Sequence, residues 1–113
     1  MGKYLVRKLK AAPQVIHSSC GESRRLITFQ DTPDFSLHVV HILDGKTHYH
    51  KRSTETYYVL EGKGKLELDD ETVDLEPGTA VLIPPGVRHR GHGDFKTIVT
   101  GTPAFTAEDE FLD

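Results

Sequence analysis

Short runs in which apolar residues alternate with polar ones recur along the chain: "FSLHVVHIL", "ETYYVL", "KLEL", "TVDL", "TAVLI" and "FKTIVT". They are rich in the β-branched and aromatic residues that suit a pleated, half-buried surface. Between them fall Asp31 to Asp34 around Pro33, Asp44-Gly45, Gly62-Lys63-Gly64, Asp69-Asp70-Glu71, Pro77-Gly78, Pro84-Pro85-Gly86 and Gly93-Asp94. Breakers spaced about 8–12 residues apart predict an all-β sandwich or barrel. No internal repeat and no long helical period is present. The first dozen residues and "TAEDEFLD" suit either a short strand or a helical turn.

Two hairpins can be registered from the pattern. Folding about Gly62-Lys63, a pair suited to a type II′ turn, sets Val59 opposite Leu66 and Tyr57 opposite Leu68. Folding about Asp70-Glu71 sets Leu68 opposite Val73 and Leu66 opposite Leu75. Paired residues share a face, so Tyr57, Val59, Leu66, Leu68, Val73 and Leu75 are expected to form one apolar core surface. Glu55, two residues before Tyr57, then lies on that face as well. A carboxylate there costs several kcal/mol unless a cation meets it, and no lysine occupies a neighbouring inward position. A metal ion resolves the conflict.

Composition narrows the function classes. A chain of 113 residues folds as one domain that buries roughly two-thirds of its unfolded surface, without disulfides. The single cysteine, Cys20, has no partner within the chain; it suits a reducing, cytoplasmic compartment and is expected as a small buried or half-buried side chain. Charges break the N-terminal stretch before it forms a signal-peptide core, no run has the length of a membrane span, and Val6 stands where a myristoylation signal needs Ser or Thr. Neither a membrane nor a nucleic-acid partner is expected, the net charge being −3. Lys3, Arg7, Lys8 and Lys10 near the start and Glu108, Asp109, Glu110 and Asp113 at the finish read as solvated ends.

The seven histidines carry the chemistry. His48 and His50, two apart on a strand, project both imidazoles to one side with Tyr49 on the other, and Glu55 returns on the next strand. The later stretch "GTAVLIPPGVRHRGHG" brings His89 after a turn at Pro84 and Gly86. Together these segments resemble the cupin superfamily. Its first motif fits His48, His50, four residues, Glu55, six residues, Gly62; its second fits Gly78, five residues, Pro84, one residue, Gly86, two residues, His89. Gly45 lies closer to His48 than the first motif has it, and Gly93 stands where the second often has Asn.

The resemblance implies a cupin-type jelly-roll β-barrel of two antiparallel sheets over residues 1–113, with core motifs in 45–93, an N-terminal arm in 1–23 and a C-terminal tail in 103–113. It implies that His48, His50, Glu55 and His89 hold one divalent metal. The donor set suits Fe, Mn, Ni, Co, Cu or Zn, leaves an octahedral ion two positions for water or substrate, and is poorer in cysteine than a structural zinc site. The expected function is that of a metal-dependent enzyme on a small oxygen-chelating metabolite, with an Fe(II) dioxygenase first. The alternatives are a metal-dependent isomerase and a non-catalytic binding module for a sugar-like ligand. Glu55 is expected to act as ligand and, on loosening, as base, with Tyr57 either a hydrogen-bonding neighbour of the site or a core residue with a satisfied hydroxyl. His38 and His41 lie an odd number apart, so one alone can face inward; His92 is expected near the mouth, His17 carries no signal, and of Arg24 and Arg25 one is expected inward, able to bind a carboxylate. Outward apolar residues Tyr58, Leu60, Leu82 and Val87 are expected to pair two copies as a homodimer.

Overall fold

The computed structural model describes residues 3–11 and 15–112. Asp113 of the acidic end therefore lies outside the described residues. The strands are β1 (Val15–His17), β2 (Glu22–Ile27), β3 (Ser36–Asp44), β4 (His48–Tyr49), β5 (Thr54–Leu68), β6 (Glu71–Leu75), β7 (Ala80–Ile83), β8 (His89–Thr102) and β9 (Phe111–Leu112). Among the described residues there is no α-helix, only 3-10 turns at Leu9–Ala11 and Ala107–Asp109, and no helix long and apolar enough to cross a membrane.

All pairings are antiparallel. The order runs β1-β2-β3-β8-β4-β9, and β5 joins β8 while also carrying β6 and β7. The sheet curls into a half-barrel of the jelly-roll kind, as the alternation predicts. Its spine is the pairing of β5 with β8, from Thr54↔Thr102 to Leu68↔His89. Alternate residues point into the concave side, and Val40, Ile42, Tyr57, Val59, Leu66, Leu75, Ile83, Phe95 and Val99 form the buried core.

Both hairpin registers are corrected. No turn forms at Gly62-Lys63: β5 runs unbroken through it, because β8 offers pairing partners along the whole length. Tyr57 thus faces Val99, Val59 faces Thr97, Leu66 faces Gly91 and Leu68 faces His89. Gly62 instead marks a close backbone approach just past a register shift between Val59 and Glu61; a Cβ there would stand 2.2 Å from the Asp94 carbonyl oxygen. The next turn centres on Asp69-Asp70, with Asp69 at φ 54°, so Leu68 pairs with Glu71 and Leu66 with Val73. That slip of two residues keeps every side chain on its face. The apolar surface therefore survives the wrong register: Tyr57, Val59, Leu66 and Leu75 are in the core, and Leu68 and Val73 pack against it.

On the outer face Tyr58, Leu60 and Leu82 are exposed, as expected. Val87 is not; it is half-buried against the core, drawn in by the Pro84–Gly86 turn that precedes β8. The basic start is not wholly solvated either, since Arg7 forms a two-pronged ion pair with Asp31 and also donates to the Leu26 carbonyl.

Candidate metal centre

Three chain segments deliver the site. β4 presents His48 and hands on to His50; β5 carries Glu55 as its second residue; β8 opens with His89, which lies directly across from His48. All four are buried, and one ligand atom from each lies within 4.8 Å of the others. Glu55 Oε1 stands 3.1 Å from His89 Nε2 and 3.3 Å from His50 Nε2.

The backbone fixes which ring nitrogens face inward. Nδ1 of His48 lies 2.7 Å from the Lys46 carbonyl oxygen, Nδ1 of His50 2.8 Å from that of Asp109, and Nδ1 of His89 2.9 Å from that of Val87. A carbonyl only accepts, so each Nδ1 carries a proton and Nε2 is the ring atom turned to the interior; in the metal-free protein Nε2 of His89 donates to the ionised Glu55 Oε1, and that proton must leave for the nitrogen to face a cation. Such a second ring hydrogen bond is what metal-ligating histidines need to hold tautomer and orientation. His50 Nε2 is buried and, despite its nearness to Glu55, too poorly aligned to form a hydrogen bond. An inward nitrogen without a partner, beside a carboxylate and two further imidazoles, fits a cation.

Electrostatics follow from this crowding. Burial alone raises the Glu55 pKa, but the contacts with His50 and His89 reverse that and hold it down at about 2. Burial and the neighbouring His89 lower His48; burial also pushes His50 down, and Glu55 more than reverses it. The carboxylate thus remains an anion inside the protein core.

Tyr57, inward beside Glu55 as predicted, is buried, and burial first and nearby anionic groups second raise its pKa well above the usual value. Its hydroxyl lies 3.7 Å from Cys20 Sγ, which in turn is 3.4 Å from His48 Nε2. Burial, then the Glu55 charge, push the Cys20 thiol up to about 12. The half-buried cysteine agrees with expectation, but its place against His48 was invisible: a lone cysteine has no spacing partner. Asp109 corrects the reading of the acidic end as solvated. It is only 4% exposed, and its carboxylate accepts the backbone N–H groups of Lys51, Arg52 and Ser53.

The other histidines separate by parity. His38 is inward, 8% exposed, and edge-on to Phe105, while His41 is outward and bonded to Asp94. His92 sits half-buried, 3.3 Å from Glu67, and His17 is exposed. Arg25 shares the inner face with His38, its register partner; Arg24 points outward to Glu22.

A curled all-β half-barrel with a buried cluster of three histidines and one glutamate on its inner side defines a jelly-roll protein with a candidate metal centre. The cupin-domain family matches residues 39–106, and the chain belongs to that family. An uncharacterized protein of Methanocaldococcus jannaschii is 35% identical over 66 residues, 55% of this chain and 53% of that protein. A glucose-6-phosphate isomerase of Thermococcus gammatolerans is 39% identical over 67 residues, 53% of this chain and 32% of the isomerase. The matched stretch thus spans about half or less of these relatives' lengths. A solved structure of a protein from Planctomyces limnophilus superimposes with a TM-score of 0.89 at 28% identity, covering 98% of both chains.

Proposed function

We propose that the protein binds one divalent transition metal per chain through His48, His50, Glu55 and His89 and acts as a metal-dependent enzyme on a small oxygen-chelating metabolite. The observation that supports it best is the set of three imidazoles whose Nδ1 protons are committed to backbone carbonyls, so that three Nε2 atoms and one carboxylate converge. When bound, the ion supplies Lewis acidity to a chelated oxygen, or redox capacity where it is iron. Glu55 then has a second role open to it as a base, and Tyr57, whose raised pKa keeps it protonated, holds its hydroxyl 3.7 Å from Cys20 Sγ beside the site. Fe(II)-dependent dioxygenation is the reaction we place first, for a donor set of imidazole and carboxylate that leaves positions open. Metal-dependent isomerisation is the second, favoured by the likeness to the Thermococcus isomerase.

Anaerobic loading with Fe(II), followed by oxygen uptake against catechols, diketones and hydroxy acids, tests the first; aldose–ketose interconversion with the same preparation tests the second. Both rest on metal binding, which is expected at one ion per chain, removable by chelator, with a fall in melting temperature because the ion binds the folded state only. Elemental analysis that finds no metal in protein purified without chelator and then exposed to Fe(II), Mn(II), Ni(II) and Zn(II) would overturn it.

For assembly we propose a cytoplasmic homodimer formed through the outer face bearing Tyr58, Leu60 and Leu82, which are 45%, 42% and 66% exposed. Light scattering at micromolar concentration is expected to give about twice the chain mass; a value near 12.6 kDa would contradict it.

A further inference from the structure

Among the described residues three buried side-chain atoms have no hydrogen-bond partner: His50 Nε2, Ser23 Oγ and Arg25 Nε. The first belongs to the metal centre. The other two are neighbours on the inner face of β2, where Ser23 pairs with Val40 and Arg25 with His38. Just past Arg25 the pairing with β3 shifts register before Ile27, the kind of bulge that re-aims a side chain.

Arg25 lacks the partners an inward guanidinium normally has. No carboxylate lies within ion-pair distance of it among the described residues, whereas Arg7 and Arg24 each have one and Arg90 has two. Glu110, whose charge Arg25 feels, accepts instead from the Ser19 hydroxyl. The contact Arg25 does make is with the Phe105 ring, 5.4 Å from the guanidinium carbon to the centroid. A ring face attracts the charge but accepts none of the in-plane N–H donors. The same Phe105 ring stands edge-on to His50, 5.7 Å between centroids, so it joins the guanidinium to the metal-ligand cluster.

We propose that Arg25 binds the carboxylate of the small molecule held at the His48–His50–Glu55–His89 centre, which makes the substrate a short carboxylic acid that carries its chelating oxygens at the other end. The proposal rests on the metal-centred function above for the second end of the molecule, and on Arg25 and Ser23 alone for the first. Planar, two-pronged recognition is what a guanidinium offers a carboxylate, and Ser23 Oγ adds a free hydroxyl on the same face. The charge count favours a carboxylate over a phosphate dianion. Burial first, and the Arg25 charge second, hold the His38 pKa down at about 4, so His38 is neutral and Arg25 supplies the local positive charge.

The test reads Arg25 directly. In the 15N-labelled, Zn(II)-loaded full chain, the Arg25 side-chain Nε–H resonance, identified by its loss in Arg25→Lys, is followed during titration with succinamate, which has one carboxylate, and with succinamide, which has none. A saturable shift with succinamate alone is expected, with at least tenfold weaker binding in Arg25→Gln and unchanged binding in Arg24→Gln. An unmoved Arg25 resonance, an equal response to succinamide, or equal affinity in Arg25→Gln would overturn the proposal. Tighter binding of inorganic phosphate than of succinamate would overturn the carboxylate assignment. Repeating the titration after chelator treatment separates the two ideas: failure to take up Zn(II) removes the metal centre, whereas the Arg25 shift reports the anion subsite with or without the ion. Because the resonance is read in the wild-type chain, a poorly folding Arg25→Gln leaves the test intact.

Discussion

Glu55→Gln is expected to weaken metal binding by at least the 10–100-fold typical of losing a supporting group around a metal, and to leave the metal-free protein folded. The substitution keeps the shape of the side chain and removes its charge. In the metal-free protein Glu55 is held ionised by His50 and His89, so its loss also removes their counter-charge. An amide can still donate to an inward Nε2 lone pair, which limits the cost to the fold. The clear readout is the gain in melting temperature on adding metal. A hundredfold loss of affinity at saturating metal removes about 2.7 kcal/mol of ligand-linked stability. If Glu55 were only a buried carboxylate with no ion to meet, the Gln variant would be the more stable protein under all metal conditions. Equal metal affinity in wild type and variant would refute the site.

Glu55 was legible in the sequence because strand parity is robust. The side-chain period of two survives an error of register by an even number of residues, so the face holding Tyr57, Val59, Leu66 and Leu75 was correct although both hairpins were misplaced. The error came from reading Gly62 as a turn, when only the long partner strand β8, more than 20 residues away in sequence, decides that β5 continues. Local signals cannot report a non-local ladder. The same limit hid Cys20 and Asp109, whose contacts with the site span 28 residues to His48 and 59 to His50. His48, His50 and His89 were found because motif spacing encodes the turns that bring them together, whereas Arg25 could be narrowed only to one of a pair until β3 fixed its face.

Asp109 carries the second large effect. The acidic end reads as a solvated run, in which case Asp109→Ala and Glu108→Ala would be alike and both within about 0.5 kcal/mol of wild type. The structure distinguishes them. Glu108 is exposed, whereas Asp109 closes the loop between His50 and Glu55: Oδ1 accepts from Lys51 N at 2.9 Å and Arg52 N at 3.0 Å, and Oδ2 from Ser53 N at 2.9 Å. Burial raises the Asp109 pKa, but these three donors bring it below the usual carboxylate value, so the ionised form is the one the fold holds. Removing the carboxylate leaves the buried Ser53 N–H without its acceptor and frees the loop, at a cost of about 1–3 kcal/mol for each buried donor left unpaired. Asp109→Ala is therefore expected to lose about 1–3 kcal/mol, roughly 5–15 °C in melting temperature for a domain of this size. Asp109→Asn should fall close to it, because both carboxylate oxygens accept backbone protons and an amide must turn its NH2 toward one of the donors. Metal affinity should fall as well, by about 10–100-fold, because the carboxylate pins the 51–53 backbone between His50 and Glu55 and, with it freed, the residue-109 backbone carbonyl that accepts from His50 Nδ1 at 2.8 Å loses its fixed place. Melting curves of Asp109→Ala, Asp109→Asn and Glu108→Ala, each with and without Zn(II), check both effects; an Asp109→Ala protein that melts and binds metal like Glu108→Ala would show that the loop holds His50 and Glu55 in place without it.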